Sequence, residues 1–267
     1  MLKVYLVQID SAKGCKSENI ARAKKMILDA RPTEGSLILL PEMFATGYIP
    51  ANLDEASEDF STRKSGETAC MLSEVATTTN STVMGAGITR AAKGFYNHVS
   101  IYAPGNAHEI ASYNKMNLFF PERDDFTPGT SVNLFNLCAN WNVASFVCYD
   151  LRFPEIFREA TKLGANLITV QAAWPAKRRA HWETLLKARA IENQVYIAAV
   201  NAVSEAPDTT KIPLAGSSLI ISPNGDVLAQ GPTNEEAIIS AELDLQAEKN
   251  YRQSFPVLDG IVPPDLI

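Results

Sequence analysis

The chain has 267 residues, 46% hydrophobic and 20% charged, the balance of an ordinary globule with enough length for a large core. A net charge of −6 offers no broad cationic face for nucleic acid or an anionic membrane. No apolar run reaches the roughly 18 residues of a membrane span.

In chain order, residues 3–9 ("KVYLVQI") read as a strand, too short and too polar at Gln8 for an export signal. Residues 17–31 read as a helix, with Ser17 as N-cap and Ile20, Ala23, Ile27 and Ala30 on one side. "SLILL" (36–40) is an unbroken apolar run, the mark of a strand buried on both faces. Residues 65–80 predict a second helix. Segments 82–89, 97–104 and 108–115 are strand-like and separated by Gly, Pro and Asn turns. Next come a buried strand at 143–148, a helix at 154–165 opened by Pro154, and a strand at 166–173. A helix at 179–194, a strand at 195–201 and a hairpin at 217–230 around Asn224–Gly225 follow. A last strand at 237–243 leads to a polar helix, and an extended, Pro-rich tail is expected from about residue 247.

No internal repeat, low-complexity tract or linker interrupts the chain, so residues 1–267 are expected to form one domain. The alternation of strands and helices predicts the α/β class. Hairpin-like runs predict mixed sheets, and many strands with few helices predict two sheets covered outside by helices. The four cysteines (Cys15, Cys70, Cys138 and Cys148) stand far apart without a C-x-x-C pair, which argues against zinc and iron–sulfur centres. They are expected to be free thiols in a reducing cytoplasm, mostly buried filler.

Three predicted strands end on reactive residues. "LILLPEMF" places Glu42 just past an apolar run, "ASYNKMNLF" ends on Lys115, and "SFVCYD" ends on Cys148. Singly, these are a loop carboxylate, a surface ammonium and a core thiol. Ligands of α/β sheets bind beyond the carboxyl ends of strands, where the three groups could converge. A thiol with a pKa of about 8.5 is mostly protonated at neutral pH. A neighbouring carboxylate can take its proton, and an ammonium can favour the thiolate and hold an oxyanion. The backbone N–H of Tyr149 could supply a second oxyanion donor, in the manner of a nucleophile elbow.

Glu42 in "LLPEMFATGY", Lys115 in "YNKMNLF" and Cys148 in "VCYDLRFPE" resemble, in order, the Glu–Lys–Cys triad of the nitrilase superfamily, the carbon–nitrogen hydrolases. "FTPG" (126–129), "AAWP" (172–175), "HWETLLKARAIENQ" (181–194) and "SPNGDVLA" (222–229) extend the resemblance. It implies a four-layer α-β-β-α sandwich, paired into homodimers or higher oligomers. It implies a Cys thioester mechanism that needs no metal or organic cofactor. It also implies a second glutamate beside the thiol, matched by Glu122 in "FFPERDDFTPG", which otherwise reads as one charge of a solvated loop.

"CYDLRFPE" is similar to the branch that holds omega-amidases and deaminated-glutathione amidases, and "AAWPAKRRAHW" to the bacterial omega-amidase pattern. The expected substrate is a small amide bearing a carboxylate, such as 2-oxoglutaramate. Deaminated glutathione and N-carbamoyl amino acids are the alternatives, and a non-enzymatic thiol sensor is the reading from another class. Arg152 could grip the substrate carboxylate, or pair structurally with Asp150 or Glu155. Trp174 and Pro175 could form an apolar wall or belong to the core, and Phe119 and Phe120 could close the pocket. His181, near a helix start, reads as a surface or helix-packing residue, and His98 as a satisfied sheet residue.

Overall fold

A computed structural model describes residues 1–137, 140–204 and 212–261. Cys138 and residues 262–267 of the Pro-rich tail lie outside the described residues. The first part runs β1 (Leu2–Gln8), α1 (Lys16–Ala30), β2 (Leu37–Leu39), α2 (Leu53–Ala56), α3 (Glu67–Thr79), β3 (Thr82–Arg90), β4 (Phe95–Tyr102) and β5 (Ala111–Asn114). The second runs β6 (Leu134–Leu137), β7 (Trp141–Val147), α4 (Pro154–Lys162), β8 (Leu167–Ala172), α5 (Arg179–Asn193), β9 (Tyr196–Asn201), β10 (Leu219–Ile221) and β11 (Val227–Gln230). β12 (Ala237–Leu243) and α6 (Leu245–Ser254) follow.

The strands form two six-stranded sheets, ordered β12-β1-β2-β3-β4-β5 and β6-β7-β8-β9-β10-β11. Read in that order, each sheet pairs its strands antiparallel, parallel, parallel, antiparallel, antiparallel. The same topology is built twice, although no sequence repeat marks it. Alternation along β1 sends Val4 and Leu6 into the core between the sheets, while Val7 faces the helical layer. There Ala23 and Ile27 of α1 and Leu72 and Val75 of α3 cover the outer face. Phe157 of α4 and Leu186 of α5 cover the second sheet. The result is the α-β-β-α sandwich. β2 and β8 are buried along their whole length, which explains the unbroken apolar run of β2 and leaves only Thr169 and Gln171 as polar residues in β8. Each fully buried Leu or Ile contributes about 1.5–3 kcal/mol.

Gln8 is the polar exception in β1. Its buried Oε1 accepts from the Ser218 N–H (3.0 Å) and hydroxyl (2.8 Å), and its Nε2 donates to the carbonyls of Pro232 (2.7 Å) and Glu235 (2.9 Å). All its hydrogen-bonding capacity is used, so its burial is compensated. It ties the first sheet to the stretch just before β10 in the second.

Several expectations are corrected. The N-cap of α1 is Cys15, and Ser17 sits in the first helical turn, its hydroxyl donating to Glu67 of α3 (3.1 Å). Cys70 is exposed and Cys15 half-buried, so of the three described thiols only Cys148 is buried. The segment read as an extended tail from about 247 is helical to Ser254. Asp244 caps this helix, and Arg252 fastens it by donating to the carbonyls of Gln194 (3.0 Å) and Ala165 (3.2 Å). α2 and β6 were not predicted; they are too short to show a hydrophobic period. Among the described residues no helix is long and apolar enough to cross a membrane.

Candidate active site

The carboxyl ends of the parallel strands of both sheets open on one cavity. Glu42 follows β2, Lys115 follows β5 directly, and Cys148 follows β7 as the first residue of a 3-10 turn, Cys148–Arg152. Cys148 has φ +47°, a left-handed conformation that is unfavourable for a residue with a Cβ by about 1–2 kcal/mol. Such conformations persist only where the surroundings enforce them.

Asp150 does the enforcing. It is fully buried, and its Oδ2 accepts from the Val147 N–H (3.0 Å) and the Tyr113 hydroxyl (2.8 Å). Its Oδ1 accepts from the backbone (2.8 Å) and side-chain amide (3.0 Å) of Asn117. One carboxylate thus fastens the turn that carries Cys148 to the loop after Lys115. Burial foremost raises its pKa, against the pull of these donors and of Lys115. Asp150→Asn must point an N–H at existing donors, because donors face both oxygens. We expect it to lose about 1–3 kcal/mol per conflicting bond and most of the activity, as checked by urea unfolding and ammonia release.

Glu42, Lys115 and Glu122 form a charge cluster with no side-chain exposure. The Lys115 Nζ lies 2.9 Å from Glu42 Oε1 and 2.8 Å from Glu122 Oε2. Asn97 of β4 donates its Nδ2 to both glutamates, at 2.7 and 2.9 Å. Glu42 Oε2 accepts from the Ala173 N–H just past β8 (3.0 Å), a bond from one sheet to the other. Glu122 Oε2 accepts from the Phe119 N–H (2.7 Å), which closes the short turn that carries it. Glu122 is therefore buried against Lys115, not placed in a solvated loop.

These surroundings set the protonation states. Burial works against the Lys115 charge, but Glu42 and Glu122 outweigh it and hold the pKa well above its ordinary value. Burial is the largest influence on Glu122 too, and raises its pKa despite Lys115. Burial and then the neighbouring Glu42 carboxylate hold the Cys148 thiol well above its usual range, with Lys115 pulling the other way. Burial thus favours the neutral thiol, and the Glu42 side chain lies beside it.

The cavity has a volume of about 780 Å³. Cys148, Tyr149, Arg152, Trp174 and Phe119 all line it, so the expected substrate-binding residues share one space. The Arg152 guanidinium lies over the Trp174 ring at 4.7 Å and 3.5 Å from His181 Nδ1. It forms no ion pair with Asp150 or Glu155, whereas one structural reading had paired it with either. Trp174 is both wall and core: it is 2% exposed, and its Nε1 donates to the Arg178 carbonyl at 2.9 Å. Phe119 packs its ring on Tyr149 at 5.3 Å between centroids.

Sequence reasoning missed Asn97, Tyr48 and the cavity-facing position of His181. His98 is the satisfied sheet residue expected, bonded to Asn114 (2.8 Å) and Glu109 (3.2 Å). Among the described residues no group of three or more His, Cys, Asp or Glu is placed to hold a metal ion.

Residues 3–253 match the family model described as carbon-nitrogen hydrolase. The chain belongs to the carbon–nitrogen hydrolase family. It is 38% identical over 262 residues to the 2-oxoglutaramate amidase of Bacillus subtilis, covering 97% of this chain and 96% of that protein. It is 30% identical over 266 residues to human omega-amidase NIT2, covering 96% and 93%. Among solved structures, a CN-hydrolase superfamily protein of Xanthomonas campestris superposes with a TM-score of 0.87 at 26% identity, covering 98% of both chains. That protein carries an arsenic adduct in its active site. This carbon–nitrogen hydrolase therefore has the sandwich of its family over nearly all of its length.

Proposed function

We propose that this hydrolase is an omega-amidase-type enzyme, cleaving the terminal amide of a small carboxylic acid such as 2-oxoglutaramate. The observation that carries the reading is the buried Glu42–Lys115–Glu122 cluster beside the Cys148 thiol, which lines a cavity shared with Arg152. The names of the relatives from Bacillus subtilis and human support the substrate class.

Glu42 takes the thiol proton as sulfur attacks the amide carbon. Lys115 and the Tyr149 N–H hold the oxyanion, and Glu122 keeps Lys115 in place and charged. Glu42 returns the proton to the departing nitrogen, and ammonia leaves behind a thioester. Glu42 then activates a water that hydrolyses it, releasing the acid and restoring the thiol. Arg152 grips the substrate carboxylate against the walls made by Trp174 and Phe119.

Ammonia release from 2-oxoglutaramate, compared with cysteinylglycine release from deaminated glutathione, tests the substrate. Carbon dioxide release from an N-carbamoyl amino acid tests the remaining alternative. We expect 2-oxoglutaramate to have the highest kcat/KM. Deaminated glutathione is the second reading, favoured by a cavity of about 780 Å³, roomy for a five-carbon acid. Arg152→Met is expected to raise KM for the carboxylate-bearing amide by about 10- to 100-fold, the worth of a charge-assisted pair. A neutral amide of similar length should be little affected. An equal change for both amides rules out the grip.

The enzyme is further proposed to act in the cytoplasm as a homodimer or larger oligomer. Exposed Ile191 of α5 lies against the β10–β11 turn at Gly225, close to exposed Val227 and Leu228 of edge strand β11. This apolar face suits a second copy, and light scattering measures the mass.

A further inference from the structure

Tyr48 lines the same cavity. Its hydroxyl oxygen is buried and has no hydrogen-bond partner among the described residues. A buried hydroxyl without a partner costs about 1–3 kcal/mol, so such groups are rare and call for a reason.

The loop that carries Tyr48 is rigidly built. Met43 and Ile49 both have φ +48°, and Gly47 between them has φ +72°. A side chain at Gly47 would run into the backbone of Ser11 and Lys13, at 3.0 Å from each. Lys13 donates its Nζ to the Ile49 carbonyl (3.1 Å), and buried Asn19 of α1 donates its Nδ2 to the Ala45 carbonyl (2.9 Å). The backbone strain and these ties fix the phenol where it gains no protein partner. Its surroundings are those of the reacting centre: Glu42, Lys115, Glu122 and Cys148 all act on it electrostatically. Burial above all, then Glu42, raises its pKa far above the usual phenol value, so the proton stays on and the group is a donor at any working pH.

We propose that the Tyr48 hydroxyl is a further catalytic donor, hydrogen-bonding the substrate's amide oxygen as it becomes an oxyanion. It would act beside Lys115 and the Tyr149 N–H. The assignment rests on the thiol amidase reading above and adds to it a residue from the loop after β2.

Tyr48→Phe keeps the ring and removes only the unpartnered oxygen. We expect kcat for ammonia release to fall about 100-fold, as for loss of one oxyanion donor, with KM within about threefold. The variant should melt no lower than the parent, and methyl methanethiosulfonate should label Cys148 at the parent rate. A second probe does not depend on the amide substrate. Propanal adds the Cys148 sulfur to its carbonyl carbon while the thiol proton moves to the oxygen, and this thiohemiacetal protects the thiol from labelling. Protection should be about tenfold weaker in Tyr48→Phe, equivalent to one hydrogen bond.

Equal protection in both proteins overturns the proposal. So does a rise in KM with kcat unchanged, or a loss of kcat accompanied by a lower melting temperature and slower labelling. If the protection differs but the parent hydrolyses none of the three substrates, Tyr48 stands and the amidase reading falls.

Discussion

Lys115→Met is expected to inactivate the enzyme and to destabilise it by about 3–5 kcal/mol, the cost of leaving buried charge uncompensated. The geometry dictates both effects. The Nζ that would be lost lies 2.9 Å from Glu42 and 2.8 Å from Glu122, and none of these side chains is exposed. Asn97 would still hold the two carboxylates on one Nδ2, at 2.7 and 2.9 Å. Two carboxylates sharing a donor cannot both ionise easily, so one takes a proton. That proton sets the sign of the pH dependence. The folded variant would hold it above the unfolded glutamate value of about 4.3. The stability it confers is present below the unfolded value and is lost as pH rises through the folded one. The deficit should therefore be smaller at pH 5.5 than at pH 8. Activity should fall by at least the 10²–10³-fold typical of one lost oxyanion donor. Urea unfolding at the two pH values and ammonia release check these points, and a pH-independent deficit would contradict the cluster's charge assignment.

Cys148→Ala is expected to reduce turnover to the background rate while leaving the fold within about 1–2 kcal/mol of the parent. The substitution removes the proposed nucleophile, so no acyl adduct should appear by intact mass when substrate is added. Residual amidase activity would end the nucleophile assignment. Cys148→Gly gives the matching measurement of strain. Alanine keeps the left-handed penalty at φ +47°, whereas glycine has none. The glycine variant should therefore be at least as stable as the alanine variant. The reverse order would mean that the turn stores no strain at the nucleophile.

Most of the fold was legible because the central strands are mainly apolar segments bounded by turn residues and the helices have clear stripes. The candidate nucleophile, base and ammonium were legible for a related reason. Each stands where an apolar strand stops, a position that pattern alone reveals. Asn97 was not, because it lies within β4 among other polar residues, His98 and Ser100, and nothing in the pattern sets it apart from them. What makes it informative is its partners, which are 55 and 25 residues away. Tyr48 was hidden differently: what distinguishes it is an unfilled hydrogen bond, which a sequence cannot display. Glu122 could be matched by resemblance, but its burial depends on the Phe119 N–H folding back onto it at 2.7 Å.

The doubled sheet topology has a mechanical consequence. The proposed base and ammonium belong to one sheet and the thiol to the other, so the reacting groups face each other across a sliding plane. A shear of one sheet past the other carries the thiol sideways from the base by the full displacement, and so breaks the alignment that proton transfer needs. Gln8 and the Glu42–Ala173 bond act as dowels across that plane. Catalysis in this molecule is thus a gauge of how firmly its two halves are seated, and loosening the inter-sheet core should silence the enzyme well before it unfolds.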